Sequence, residues 1–386
     1  MNNVRLGIIG MGNIGQRHAE ALLAGQVSHA ELTAIATTTP EKQATYRERG
    51  LQVFGDGLAL IHSGVVDAVL VATPHYQHVP LGMASLEHGR HLLVEKPIAA
   101  HKADAERLIA THQRHPELQF AGMFQLRIEP RYQKIRERLR SGVLGRMVRV
   151  NWINTDWFRT EAYYTSGDWR ATWRGEGGGV LLNQSLHQLD LLQWLCGPPR
   201  RVRGFCQLGR YHPIEVEDNV TAYLEWDDGA TGVFLSSTGE TPGTNRLEIT
   251  GTRGKLVLEN DRLEHTQLAA DMTEFSRTAP QGFLKPEATI TEIPFTNAAA
   301  PHTALIQNFV DAIRTGTALV APGAEGLASM ELANAILYSS LQGQTIELPL
   351  DGAAWEQKLQ ELAAASTLQK TVRPGSAADF ASSFKR

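Results

Sequence analysis

Cysteine is almost missing: Cys196 and Cys206 are the only two, too few for a disulfide framework or a thiolate metal site, so no metal is expected. They read as small buried residues of a protein kept in a reducing compartment. No apolar run approaches the roughly 20 residues that span a bilayer's hydrocarbon, which excludes a membrane-crossing protein. The opening MNNVRLGIIG carries one Arg before a short apolar run and lacks the zones of a secretory leader, so a cytoplasmic protein is expected. Positive charge is not in excess either. Lys and Arg number 37 against 41 Asp and Glu, a net charge of -4, which leaves nothing to neutralise a phosphate backbone and excludes nucleic acid as a partner. With 42% hydrophobic and 20% charged residues and no internal repeat, disorder and collagen-like structure are also excluded.

What remains is a chain of 386 residues, long enough for two domains with a core each. Over residues 1–125, short β-rich apolar runs near 4–9, 31–36, 68–72, 91–94 and 119–123 alternate with amphipathic stretches such as 13–24 and 103–115. That alternation predicts a doubly wound parallel α/β sheet. Over residues 126–386 the pattern changes. A basic helix at 131–140 precedes strands near 146–157, 201–209, 216–226, 230–238, 246–250 and 254–259, punctuated by Asp227-Asp228-Gly229, Gly239 and Gly251 to Gly254. Strands in succession without helices between them predict an α+β domain with a large open, mostly antiparallel sheet. One helix at 180–195, closed by Gly197-Pro198-Pro199, interrupts it. Two more follow at 302–315 and 324–341, and the last 20 residues read as a polar tail.

The first strand runs into Gly10-Met11-Gly12-Asn13-Ile14-Gly15, a G-x-G-x-x-G between strand and helix, the phosphate-binding signature of a Rossmann domain. Gly10 permits the turn, Gly12 lets a pyrophosphate approach the backbone, and Gly15 lets helix and strand pack closely; the helix N-terminus offers N–H groups and positive dipole. At the end of the second strand an acid would bind the ribose of NAD. Here the chain reads Thr37-Thr38-Thr39-Pro40-Glu41-Lys42. Hydroxyls at Thr37 and Thr38 with the Lys42 ammonium accept a 2'-phosphate, which favours NADP(H) over NAD(H), unless the threonines merely end a strand. The fifth strand ends in Glu95-Lys96-Pro97, at the sheet edge where ligands bind in this architecture.

Together with Ala72-Thr73-Pro74-His75-Tyr76-Gln77-His78 and the segment Gly177-Gly178-Gly179-Val180-Leu181-Leu182-Asn183-Gln184-Ser185-Leu186-His187-Gln188-Leu189-Asp190, these motifs resemble the glucose-fructose oxidoreductase/inositol dehydrogenase family, Gfo/Idh/MocA. The resemblance covers both halves. It implies that Thr73, Pro74, His78, Glu95, Lys96 and Pro97 lie at the cofactor, that Lys96 touches both nicotinamide and substrate, and that Pro97 follows a cis peptide bond. It implies that His187 is catalytic, that the substrate is a carbohydrate or cyclitol, and that the protein is a homodimer or homotetramer joined through an exposed sheet face. The family commonly has Asp where this chain has Asn183. An amide takes no proton at neutral pH but can bond a substrate hydroxyl. His187 would then act with Lys96, water or Asp190.

On a helix over 180–195, Asn183, His187 and Asp190 would project from one side. Aromatic residues crowd 152–173, where Trp152, Trp157, Phe158, Tyr163, Tyr164, Trp169 and Trp173 interleave with Arg159 and Arg170. Flat rings suit the C–H face of a sugar, and Tyr163, Trp169 and Arg170 are the expected substrate contacts; packing of the domain is the alternative for this segment. His75 and His78 have the spacing of two ligands on one helical turn, but a third ligand is not evident and metal binding is not expected. Glu215 to Asp218 reads as a solvated strand face. The sequence thus predicts an NAD(P)-dependent oxidoreductase that interconverts a secondary alcohol and a ketone on a sugar, glycoside or cyclitol. The alternatives are a redox-neutral glycoside hydrolase using the same site, and a non-catalytic dinucleotide-responsive binding protein.

Overall fold

Strands covered by helices on both faces are apolar without interruption, and the first third of the chain supplies such runs, VRLGII, AVLV and HLLV among them. In the computed structural model, which describes residues 3–373, they form a parallel six-stranded sheet. Its strands are β1 (Val4–Ile9), β2 (Ala30–Ala36), β3 (Gln52–Phe54), β4 (Ala68–Val71), β5 (His91–Val94) and β6 (Phe120–Gly122), in the order β3-β2-β1-β4-β5-β6. Helices α1 (Asn13–Leu23), α2 (Pro40–Glu48), α3 (Gly57–His62), α4 (His78–Glu87) and α5 (Lys102–Gln113) make the crossovers. The order reverses between β1 and β4, and ligands of doubly wound sheets bind in the crevice such a reversal opens at the strands' carboxyl ends.

After α6 (Pro130–Arg140) comes a nine-stranded sheet: β7 (Met147–Asn154), β8 (Arg201–Leu208), β9 (Glu217–Glu225), β10 (Thr231–Ser237), β11 (Asn245–Gly251), β12 (Gly254–Glu259), β13 (Arg262–Leu268), β14 (Ala288–Glu292) and β15 (Ile346–Glu347). The order is β14-β13-β12-β11-β7-β10-β9-β8-β15. The β7–β10 pair is parallel and the rest antiparallel. Between β7 and β8 lie α7 (Glu161–Thr165) and α8 (Leu186–Cys196); α9 (Met272–Thr278), α10 (Pro301–Thr315), α11 (Gly326–Gln342) and α12 (Gly352–Ala365) come later. One face of this sheet buries Val150, Trp152, Val202, Leu224, Phe234, Leu247 and Ile249, with α11 packed on β8 and α8. The other face is open and carries Phe205 and Tyr223 exposed.

The C-terminal helices return to the first sheet. α10 lies against α1 and β1, α11 and α12 pack on α5, and the Gly122 N–H donates to Ala321 O at 3.0 Å. We propose the unit boundary at residues 125 and 126, with this C-terminal arm clasping the first unit from the second. The expected polar tail falls mainly on residues 374–386, which lie outside the described residues. No helix among the described residues is long and apolar enough to cross a membrane.

Two expectations need correction. Glu215 to Asp218 is not a solvated face: Glu217 and Asp218 are fully buried. Asp218 accepts the N–H groups of Arg210, Tyr211 and His212, while Glu217 Oε1 accepts those of Gly179 and Leu181 at 2.9 and 3.1 Å. Cys196 and Cys206 are free and half-buried rather than fully buried, with burial pushing the Cys196 thiol up to about 12.

Burial, opposed by its backbone hydrogen bonds, raises Glu217 to about 7 from the ordinary 4.5. The folded chain therefore holds a proton over a range where the unfolded chain has lost it, and this group's contribution to stability falls as pH rises from about 4.5 to about 7. Glu217→Gln removes that dependence. Between pH 5 and 7.5, the stability difference between variant and wild type is expected to move in the variant's favour by up to about 3 kcal/mol, read from urea unfolding at both pH values.

Candidate active site

A cleft of about 2820 Å³ runs from the carboxyl ends of β1, β2, β4 and β5 to the second sheet. At its floor Gly10 has a φ of +94°, the left-handed turn that glycine permits. A Cβ on Gly15 would lie 2.0 Å from Gly10 O, so only glycine lets α1 approach the turn this closely. A Cβ on Gly12 would meet nothing within 4 Å: the space above it is open, and α1 begins there without a side-chain cap. Unsatisfied N–H groups under open space suit a pyrophosphate. Asn13, Ile14, Thr37, Thr38, Thr73 and Pro74 line the same end, and Lys42 Nζ donates to Met11 O at 2.6 Å beside it.

Not every residue expected at the cofactor offers it a side chain. His78 lines the cleft, but its ring nitrogens lie 2.7 Å from the backbone oxygens of Thr73 and Pro97, tying the two loops together. Glu95 Oε1 lies 2.8 Å from His18 Nε2 on α1, and Oε2 accepts the Lys96 N–H at 3.2 Å. Burial alone would raise Glu95, but the His18 contact holds it below the ordinary carboxylate value. His75 Nδ1 faces Glu176 O at 3.1 Å, and no group of three metal-ligating side chains occurs among the described residues.

Lys96, before a cis bond to Pro97, stands at the centre of the cleft. Its Nζ donates to Asn183 O at 2.7 Å and faces Asn183 Oδ1 at 3.5 Å. Burial lowers its pKa, Arg170 and Arg159 push the same way, and Glu95 and Glu176 oppose them. His187 lines the cleft from the first turn of α8, with Nε2 3.3 Å from Gln125 Nε2. Burial, and then the Lys96 charge, holds the imidazole well below its ordinary pKa, so it is neutral at physiological pH.

The helix expected over 180–195 begins only at Leu186. Asn183 lies in the preceding turn, where the Ser185 N–H reaches back five residues to Val180 O and Glu217 grips Gly179 and Leu181 from β9. That wider turn still brings Asn183 and His187 to the same cleft. Asp190 goes elsewhere: its two oxygens accept Arg127 Nε and Nη2 at 2.8 and 2.7 Å, a buried bidentate pair outside the cleft. It does not act with His187.

The aromatic segment divides. Trp152 and Trp173 are core residues, and Tyr164 is buried with its hydroxyl 2.7 Å from Thr238 Oγ1. Trp157, Phe158, Tyr163, Trp169 and Arg170 line the cleft. The Tyr163 hydroxyl accepts from Arg170 Nη1 and Gln184 Nε2, both at 3.0 Å, and the Arg170 guanidinium stacks within 4.7 Å of the Tyr163 and Trp169 ring centres. This wall is pinned by a residue the sequence did not suggest. Lys370 Nζ donates to the backbone oxygens of Tyr164, Gly167 and Arg170 at 2.6, 3.2 and 2.5 Å. Glu176, next to the glycine run, and Gln125 were also missed.

Six residues of this cleft carry a buried polar atom with no hydrogen-bond partner among the described residues: Thr73 Oγ1, Gln125 Oε1, Arg131 Nε, Arg159 Nε, His187 Nδ1 and Gln188 Oε1. Buried polar atoms are seldom left unmet, and six in one cleft mark the seat of a polar ligand. Two family models account for the two sheets: residues 4–122 match an oxidoreductase family with an NAD-binding Rossmann fold, and residues 132–257 match the GFO/IDH/MocA C-terminal domain. The chain belongs to the Gfo/Idh/MocA oxidoreductases. Its binding cleft is that of a nicotinamide-dependent enzyme, the glycine turn and the open space over Gly12 being the part that fits the dinucleotide. Among relatives, the chain is 26% identical to a myo-inositol 2-dehydrogenase of Thermotoga maritima, over 67% of this chain and 76% of that protein. It is 22% identical to a scyllo-inositol 2-dehydrogenase (NAD(+)) of Bacillus subtilis, over 91% and 98%. The crystal structure of the WlbA dehydrogenase of Bordetella pertussis, in complex with NADH and UDP-GlcNAcA, superposes with a TM-score of 0.77 at 27% identity, covering 91% of this chain and all of that one.

Proposed function

We propose that this oxidoreductase interconverts a secondary alcohol and a ketone on a sugar, glycoside or cyclitol, with Lys96, Asn183 and His187 as the groups that handle the reacting hydroxyl. The observation that carries this reading is the meeting of an ammonium, an amide and a neutral imidazole in one cleft beside the glycine turn. When bound, the nicotinamide supplies the hydride acceptor or donor. The remaining work falls to the chain. Gly10, Gly12, Asn13 and Ile14 would seat the pyrophosphate, Gly15 letting α1 close on the turn, and Thr73 and Pro74 would border the ring, held by His78 and Glu95; Pro97, expected there too, does not line the cleft and meets His78 through its backbone oxygen. In oxidation His187, uncharged, takes the hydroxyl proton. Lys96 offsets the charge that develops on the oxygen, and Asn183 bonds a neighbouring hydroxyl. Tyr163, Trp169 and Arg170 form the wall against which the sugar ring lies.

NADP(H) is favoured over NAD(H), on the hydroxyls of Thr37 and Thr38 and the ammonium of Lys42 at the ribose end of the cleft. Lys42→Ala is expected to weaken NADP+ binding by roughly tenfold with little change for NAD+, in paired fluorescence titrations. Tight NAD+ beside weak NADP+ in the wild type overturns this preference. A spectrophotometric screen of pyranoses, glycosides and inositols with both cofactors tests the main reading. Net reduction of free cofactor also separates a dehydrogenase from a redox-neutral glycosidase. Assembly as a homodimer or homotetramer through the open sheet face, where Phe205 and Tyr223 are exposed, is checked by light scattering. A reducing cytoplasm is the location that suits its two free cysteines.

A further inference from the structure

Asn183 stands between two charged groups. Its backbone oxygen and Oδ1 face the Lys96 ammonium at 2.7 and 3.5 Å, and its Nδ2 donates to Glu176 Oε1. Glu176 is buried and does not line the cleft. Its other oxygen, Oε2, accepts the Ala171 N–H at 2.5 Å. Ala171 has a φ of +50°, which an alanine keeps only when its surroundings hold it, and the carboxylate is part of that hold. Glu176 is thus fixed at one oxygen and aimed at Asn183 with the other.

An amide has two unlike ends, and a carboxylate only accepts. With Glu176 behind it, the amide must turn its nitrogen back and its oxygen toward Lys96; reversed, Nδ2 would meet an ammonium, donor against donor. We propose that Glu176 is a positioning residue that sets which end of Asn183 faces Lys96 and the substrate, and holds one residue back from the cleft the negative charge that an Asp at 183 would place inside it. The ammonium keeps a counter-charge without forming a contact ion pair, so it stays directed at the substrate oxygen. Burial lowers Lys96, and Glu176 is among the groups that oppose this; burial also raises Glu176, while Arg170, the Ala171 N–H, the Asn183 amide and Lys96 pull it back toward the charged form. This inference rests on the reading of Lys96 and Asn183 as the groups at the reacting hydroxyl.

The test has one readout that needs no turnover. Cofactor-free protein is treated with a lysine-selective acylating reagent across a pH series, and labelling of Lys96 is read by peptide mass spectrometry. Glu176→Gln removes the charge that favours the ammonium, so Lys96 should label faster than in the wild type, on the order of threefold at a fixed pH below its half-point. The swap Asn183→Asp with Glu176→Gln should bring labelling back to the wild-type rate or below it. In turnover, Asn183→Asp alone sets two carboxyl groups against each other and should lower kcat/KM about tenfold, with the swap recovering most of that loss. A purely structural role for Glu176 would cost stability without moving Lys96 labelling. If Glu176→Gln does not fold, Glu176→Asp takes its place; its shorter side chain breaks the Asn183 contact and draws the negative charge back from Lys96, which should again speed labelling. Wild-type labelling in the folded Glu176 variant, or a swap no more active than Asn183→Asp alone, overturns the assignment. Absence of turnover on every alcohol screened would overturn the functional reading while the labelling result still decides the role of Glu176.

Discussion

Lys96→Met is expected to lower kcat by on the order of a hundred- to a thousand-fold, the usual loss when a preorganised group facing a developing oxyanion is removed. Methionine keeps much of the length and takes away the charge. The glycine turn proposed for the pyrophosphate is not among the bonding partners of the Lys96 ammonium, whose bonds go to Asn183. Dinucleotide affinity should therefore stay within a few-fold of wild type, so steady-state kinetics beside a fluorescence titration separates the two effects. A variant that still turns over at near wild-type rate would remove Lys96 from the chemistry and with it the proposed arrangement.

His187→Ala should cost roughly a hundred- to ten-thousand-fold in kcat, the range of general acid–base help. The pH profile adds a sharper check. A base fails when it is protonated, that is, below its pKa, and burial with the Lys96 charge pushes His187 well below 6.5. The acidic limb of kcat/KM for oxidation should thus lie below pH 6.5, and the Ala variant should lack it. A limb at or above 6.5 would assign it to another group.

Periodicity and turn chemistry revealed most of the architecture because the central strands of both sheets bury apolar side chains that must recur at fixed spacing. The strands they missed, β3, β13, β14 and β15, lie at or next to the sheet edges. β14 is exposed along its whole length and β3 has three residues, so neither has a buried face to leave a signature. The glycine turn and the Glu95-Lys96-Pro97 strand end were readable because their chemistry is local. Glu217 and Lys370 were not, since each acts on backbone that folding brings to it: Glu217 on Gly179, 38 residues away, and Lys370 on Tyr164, 206 away; Glu176 works on near neighbours, Ala171 and Asn183, through an irregular turn that has no periodic signature. The late start of α8 has the same origin. The apolar pattern of Leu182, Leu186 and Leu189 is helical, but β9 takes the N–H groups of Gly179 and Leu181, and the regular turns begin beyond that grip. Asp190 was misplaced because its partner, Arg127, comes from a different part of the chain.

An ammonium has three hydrogens, and those of Lys370 are all spent on carbonyl oxygens. The residue that fastens the wall of Tyr163 and Arg170 consequently has no N–H left for a visitor: a ligand arriving there would find no free donor on it. At that wall the N–H groups for an acidic guest would come from Arg159 or Arg170, and Lys370 serves as mortar between the C-terminal segment and the room it encloses.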